Sequence, residues 1–265
     1  MAASSPADPH LEDPSPTDQP PRWRRFRSGV TELVVIVVGA LVISACLRAF
    51  VAQLFVIPSG SMEQTLEIGD RVEAMRVMDF HRGDIVVFKD SQHWLGGDPA
   101  KRSVGGQILE FIGLVPNTSS NYLIKRVVGM PGDTVVCCTP QGQMTVNSKV
   151  LNETSYLYRE GGQTVAPSTI SFKVVVPKGR IFVMGDHRDA SGDSRFHLDD
   201  IGGQYQGSAA FVPVGDVVGP AKAVVVPLSR MRILHIPATF DGIPDRSASA
   251  PARASICLGE TCSGS

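Results

Sequence analysis

Ile57-Pro58-Ser59-Gly60-Ser61-Met62-Glu63 is where the pattern of this chain changes. Just before it lies the one long apolar run, Leu33–Leu47, which carries no charge. Just after it the apolar residues fall at every second position, in short segments broken by turns: Arg71–Val77, Asp84–Lys89, Tyr122–Val128, Thr134–Cys138, Met144–Val150, Ile170–Val176, Arg180–Met184, Val212–Val218 and Ala221–Val226. Nineteen prolines, 26 glycines and 6% aromatic residues likewise favour turns and short strands over a helical bundle. The expected fold is mainly β, a domain of short strands behind one amino-terminal helix.

The apolar run sets the location. Arg22, Arg24, Arg25 and Arg27 crowd in front of it with Trp23 and Phe26 between them, as at the cytoplasmic edge of a membrane helix. Fifteen uncharged residues rise about 22 Å, short of a hydrocarbon core of roughly 30 Å, so the helix is expected to continue through Ala49–Leu54 with Arg48 snorkelling outward. Arginines before the run keep the amino terminus inside and put everything after it outside. The chain then divides into a disordered cytoplasmic tail with a basic cluster (1–29), a single transmembrane helix (30–54), an extracytoplasmic β-rich domain (55–236) and a disordered tail (237–265). Two rivals share the charged-then-apolar order: a cleaved secretory peptide, and a lipoprotein processing box at Ile43-Ser44-Ala45-Cys46. Residues 91–120 read as a surface excursion with one short helix at 108–115, and Asn117-Thr118-Ser119 matches a glycosylation acceptor.

A net charge of −1 gives no basic signature for nucleic acid. The five cysteines (46, 137, 138, 257 and 262) lack zinc-ligand spacing with histidines, so neither a metal nor a cofactor is expected. Vicinal Cys137 and Cys138 can pair only under strain, and Cys257 and Cys262 are close enough in the tail to bridge.

A serine is a weak nucleophile and needs a base in hydrogen-bond reach. The nucleophile-elbow pattern Gly-x-Ser-x-Gly is absent, and no lysine has a serine three residues before it. A buried lysine is an alternative base, because desolvation favours its neutral form. Lys125 suits this role, interrupting an otherwise apolar strand (Leu123, Ile124, Val127, Val128), although a lysine on an edge strand pointing into water has the same pattern.

Together these pieces resemble bacterial type I signal peptidases. The resemblance rests on Pro58-Ser59-Gly60-Ser61-Met62 with Thr65-Leu66; on Gly69-Asp70 and Gly83-Asp84-Ile85-Val86-Val87-Phe88; on Ile124-Lys125-Arg126-Val127-Val128-Gly129 with Pro131-Gly132-Asp133; and on Gly185-Asp186 through Asp193-Ser194-Arg195. The overall look, with Cys137-Cys138, is similar to the high-GC Gram-positive branch. The resemblance implies the antiparallel sheet fold shared by signal peptidases and LexA-like self-cleaving peptidases. It implies a membrane-bound serine endopeptidase that removes signal peptides from secretory preproteins bearing Ala-x-Ala before the cut, held at the lipid bilayer. Ser61 would be the nucleophile and Lys125 the general base, with Ser191 orienting the lysine. The Ser59 hydroxyl and the Ser61 N–H would form the oxyanion hole, and Asp193 and Arg195 would support the Ser191 loop. Phe55, Ile57, Met62, Leu66 and Ile124 would line the substrate pocket. The pattern departs at His187 and Ala190, where the family commonly has asparagine. Two other readings are a non-catalytic membrane-tethered β-module that binds secretory chains and a self-cleaving repressor-type peptidase.

Overall fold

The computed structural model describes residues 22–96, 121–201, 203–244 and 249–259. The tail at 1–21, the helix expected at 108–115 and the Asn117 acceptor lie outside the described residues.

Helix α1 runs from Arg22 to Phe50, a stretch without proline. Its apolar side chains stand exposed on every side, among them Leu33, Val35, Ile36, Leu41 and Ile43. Among the described residues no helix is long and apolar enough to cross a membrane. The part of α1 with described side chains, 29–44, falls short of the roughly 20 residues a span requires. The expected continuation to Leu54 does not occur. Ala52–Val56 is instead strand β1, paired antiparallel with β2 (Arg71–Met75) from Ala52↔Met75 to Val56↔Arg71. The strand wins here because it buries Phe55 and satisfies the backbone of Leu54 and Val56 in a ladder.

The remaining strands are β3 (Ile85–Lys89), β4 (Tyr122–Gly129), β5 (Thr134–Cys137), β6 (Thr145–Val146), β7 (Lys149–Val150), β8 (Arg159–Glu160), β9 (Gln163–Thr164), β10 (Phe172–Val175), β11 (Arg180–Met184), β12 (Val212–Pro213), β13 (Val217–Val226), β14 (Arg232–Ile233) and β15 (Ser255–Leu258). The larger sheet has the order β1-β2-β13-β3-β4-β11-β12, with β14 on β13; the smaller has the order β15-β10-β5-β6-β7, and β8-β9 is a separate hairpin. All the pairings are antiparallel. Strand β13 serves two partners by bending: Val217–Pro220 pairs with β3, Ala221–Val226 pairs with β2, and the register shifts along both. The single strand expected over Met144–Val150 is two, because Asn147 and Ser148 both take positive φ (50° and 69°) and turn the chain back.

Three Gly-Asp pairs shape the larger sheet in the same way. Gly69, Gly83 and Gly132 sit at φ of 87°, 84° and 90°, the third position of a type II turn that an L side chain resists. The aspartate that follows closes each turn: Asp70, Asp84 and Asp133 accept from the N–H groups of Glu67, His81 and Met130 at 2.9, 2.9 and 2.8 Å. Each buried carboxylate is then paired with a distant cation, Arg230, Lys222 and Arg82 respectively. A turn-forming dipeptide thus becomes a tie between remote segments.

The apolar residues gather in three clusters. One joins the two sheets through Val128, Val135, Phe172, Val174, Phe182, Met184 and Phe211. A second collects Phe55, Ile57, Met62, Leu66, Val72, Ile85, Val87 and Ile124. The third takes the alternate residues of the central strands: Val86, Phe88, Val127, Ile181 and Val183. Both faces of β3 and β4 are therefore covered, which is why these strands read as nearly continuous apolar runs.

The carboxy-terminal segment departs from expectation. Residues 237–244 and 249–259 pack against the sheets rather than forming a disordered tail: Phe240 and Ile243 are buried in the inter-sheet cluster, and β15 pairs with β10 from Phe172↔Leu258 to Val175↔Ser255. Few apolar residues suffice because each docks on a prepared seat. A Cβ on Gly83 would come within 2.7 Å of both Ile236 and Phe240. The vicinal Cys137 and Cys138 are bridged to each other.

Candidate active site

Strand β1 delivers the chain through Pro58 into a single 3-10 turn, Gly60–Met62, with extended Ser59 at its start. Met62 and Leu66 anchor this turn as wholly buried members of the second cluster, and Ile57 is laced to the 69–70 turn through Ile57 N–H to Asp70 O and Gly69 N–H to Ile57 O, each 2.9 Å. These contacts fix Ser61, whose side chain is almost entirely covered.

Strand β4 brings Lys125 to it. Between β3 and β11 this strand is central, so its lysine has no edge from which to reach water, and only 3% of Lys125 is exposed. Its Nζ lies 2.5 Å from Ser61 Oγ. Burial pulls the Lys125 amine down from 10.5 to about 8, the carboxylates of Asp193 and Asp186 partly oppose this, and Arg195 adds to it. The site thus sets a buried amine, its pKa lowered by desolvation, against a buried hydroxyl.

The 185–195 loop closes over the pair. Ser191 Oγ donates to Asp193 Oδ2 at 2.8 Å, so its O–H is committed to the carboxylate and only its lone pairs remain for an amine. The expected Ser191–lysine bond is not among the described contacts. Asp193 also takes both arms of the Arg195 guanidinium at 2.8 Å and the Gly185 N–H at 2.9 Å. Burial pushes the Asp193 carboxyl up, but these donors win and hold it below its ordinary value. Asp193 and Arg195 form a bidentate pair, and Asp193 binds Ser191. Ser59 is exposed, and its hydroxyl lies 3.5 Å from Ser61 Oγ.

Phe55, Ile57, Met62, Leu66 and Ile124 do come together beside Ser61, but none is more than 6% exposed. They offer almost no open surface. A cavity of about 250 Å³ lined by Gln163, Thr164, Thr169, Arg188 and Asp189 includes neither Ser61 nor Lys125.

Sequence reasoning missed several residues that build this region. Arg126 pairs with Asp186 through bonds of 2.8 and 2.5 Å, donates to the Gly83 carbonyl at 2.6 Å and lies 4.4 Å over the Tyr156 ring; Thr65 Oγ1 donates to Asp186 at 2.6 Å. Arg188, equally buried, pairs with Glu153, which also accepts from the Tyr156 hydroxyl. Gly185 has no room for a Cβ, which would fall on Ser191 Oγ and the Ser61 carbonyl oxygen. The signal was present in Gly185-Asp186, another Gly-Asp pair, and in a Lys-Arg step inside an apolar strand, but their partners lie too far away in sequence to pair by pattern.

A family profile described as "Signal peptidase, peptidase S26" matches residues 30–226. The chain belongs to the signal peptidase family, peptidase S26. Within it, the chain is 34% identical over 247 residues to signal peptidase I of Mycobacterium tuberculosis (strain CDC 1551 / Oshkosh), covering 83% of this chain and 79% of that one. It is 35% identical to a probable signal peptidase I of Mycobacterium leprae (strain TN), covering 77% and 78%. These mycobacterial relatives agree with the high-GC Gram-positive likeness. A crystal structure of a signal peptidase I from Enterococcus faecalis V583 is 21% identical, with a TM-score of 0.30, covering 54% of this chain and 97% of that one. In this signal peptidase the four matched boxes, the Ser61–Lys125 pair and the Ser191 loop all lie inside the profile's span, whereas β14 and β15 lie beyond it.

Proposed function

We propose that Ser61 and Lys125 are the dyad with which this signal peptidase hydrolyses the bond joining a signal peptide to a secreted preprotein. The observation that carries this reading is the 2.5 Å contact between Ser61 Oγ and a buried amine whose proton affinity has fallen to about 8. A binding module has no use for so costly an arrangement.

The reaction proceeds through an acyl-enzyme. Neutral Lys125 takes the Ser61 proton as Oγ attacks the scissile carbonyl carbon, and the carbonyl π electrons move onto oxygen. The Ser61 N–H and the Ser59 hydroxyl, whose oxygen lies 3.5 Å from Ser61 Oγ, donate to that oxyanion; losing one such donor typically costs about 2.7–4 kcal/mol. The Lys125 ammonium then returns the proton to the leaving amine as the C–N bond breaks, which leaves an ester on Ser61. Water repeats the sequence with Lys125 as base, releasing the carboxylate and restoring the serine. Ser191, its own proton held by Asp193, keeps its lone pairs free to accept from the ammonium as the proton moves.

The enzyme's substrates carry Ala-x-Ala before the cut, and the support for a pocket made by Phe55, Ile57, Met62, Leu66 and Ile124 is that these five gather in one apolar cluster that includes the residue after Ser61. We also assign α1 as a single-pass anchor, with the amino terminus cytoplasmic and the catalytic domain outside. Its support is the uncharged run Leu33–Leu47, apolar side chains exposed on all sides, and a cluster of arginines before it. An anchored enzyme searches only the surface layer where a preprotein's signal lies, which raises its effective concentration.

The test is cleavage of one preprotein by the full chain in detergent, read by intact mass. Ser61→Ala should lower kcat at least a thousandfold, on the order seen when a nucleophile is removed. Retained cleavage by a folded variant would overturn the assignment.

A further inference from the structure

The departure at His187 acquires a role once its neighbours are seen. Its imidazole is largely enclosed and stacks on Tyr158 at 3.8 Å and 24°. Nδ1 faces Glu63 Oε2 at 2.9 Å and the Gly60 carbonyl oxygen at 3.2 Å, and Nε2 faces Asp189 Oδ1 at 3.4 Å. Both neighbours of Nδ1 are acceptors, so that nitrogen carries a proton and shares it between them. The main chain adds a second tie, with the His187 N–H donating to the Ser61 carbonyl at 3.1 Å. No ring contact reaches Ser61 Oγ, which Lys125 occupies. The ring therefore sits on the carbonyl side of the nucleophile's backbone, away from the proton that must move.

We propose that His187 is a positioning residue that aims the Ser61 N–H at the developing oxyanion by holding the peptide planes on either side of the nucleophile. The inference rests on Ser61 being the nucleophile. A trans peptide is planar, with its C=O and N–H pointing in opposite directions. The Gly60 carbonyl and the Ser61 N–H share one such plane, so a donor that fixes the first also fixes the second. The Ser61 carbonyl belongs to the next plane, and the same residue holds it. Without the imidazole, the Gly60 oxygen keeps only the Glu63 N–H at 3.0 Å, and the plane can rock about that bond. Gly60 itself is part of the clamp: a Cβ there would come within 2.7 Å of the Glu63 carboxylate, which must lie over it to meet His187. Tyr158 is kept under the ring by its N–H bond to the Asp186 carbonyl at 3.1 Å.

An oxyanion donor works in the transition state, so a misaimed one lowers kcat and leaves KM nearly unchanged. The experiment measures kcat and KM on one preprotein for the full chain in detergent, with thermal melting as a check on folding. His187→Ala should lower kcat about tenfold, a fraction of the loss when an oxyanion donor is deleted outright, with KM within about twofold. His187→Asn places an amide N–H₂ where Nδ1 stands and should recover kcat to within about threefold of wild type. His187→Phe keeps the stacking on Tyr158 without a donor and should be as slow as the alanine variant. A wild-type kcat in His187→Ala or His187→Phe overturns the proposal, as does an asparagine variant no better than phenylalanine. If His187→Ala does not fold, the asparagine–phenylalanine comparison decides alone. Ser61→Ala run alongside separates the two levels: if it stays active the nucleophile reading fails, and if it is dead while the His187 variants are fully active only the positioning role fails.

Discussion

Replacing Lys125 by methionine should abolish cleavage and make the protein more stable. The amine is buried and titrates at about 8 instead of 10.5, so at neutral pH the folded protein carries an ammonium that would rather be in water. That depression is worth about 3 kcal/mol. The folded-state value lies below the unfolded one, so between pH 8 and 10.5 the unfolded chain binds more protons and stability rises with pH. The cost is fully present below about pH 8 and vanishes above about 10.5. Methionine fills similar space without the charge, so Lys125→Met should gain about 3 kcal/mol at pH 7, or about 6–12 °C in melting temperature for a domain of this size. The gain should shrink toward zero at pH 10.5. Calorimetric melting of both proteins at pH 7 and pH 10 reads the difference. A variant less stable at pH 7, or a difference that ignores pH, would refute the desolvated lysine of lowered pKa. A variant that still cleaves would refute its role as base.

Two further substitutions address the supporting loop. Asp193→Asn leaves the buried Arg195 without its bidentate anion, so stability should fall by about 3–5 kcal/mol, and kcat should fall as Ser191 loses its anchor; denaturant melts and steady-state kinetics check both. Gly185→Ala drives a methyl group into Ser191 Oγ and the Ser61 carbonyl, so a cost of about 1–3 kcal/mol and a kcat loss of at least about a hundredfold are expected; unchanged kinetics would mean the loop does not position the dyad.

The sequence made some of this visible and hid the rest for identifiable reasons. Ser61 and Lys125 could be named because each stands in a short box that resembles the signal peptidases; the local patterns alone fit a turn and an edge-strand lysine equally. What could not be read was whether β4 is an edge strand. That depends on β3 and β11 flanking it, and on this point the whole assignment of Lys125 turns. The Arg126–Asp186 pair was hidden because the partners stand 60 positions apart and charge alone does not choose between candidates. The helix end was misplaced because Ala52–Val56 is apolar enough for either structure, and pairing with β2 decides it. The segment beyond residue 237 was read as disordered from its Ala, Ser, Pro and Gly content. Its order rests on a few residues, chiefly Phe240 and Ile243, whose seats are supplied by distant parts of the fold. The five residues that the resemblance assigns to a pocket lie in one cluster and are almost fully covered, and sequence matching does not say how fully a residue is covered.

The central claim is that Ser61 is activated by a lysine whose pKa burial has lowered, and the pH dependence of kcat/KM for preprotein cleavage tests it most directly. With the amine at about 8, about a tenth of it is neutral at pH 7 and about nine-tenths at pH 9. The account predicts a rise of about tenfold between those values, levelling above pH 9. A profile flat from pH 5 to 9, with the enzyme folded throughout, would contradict it.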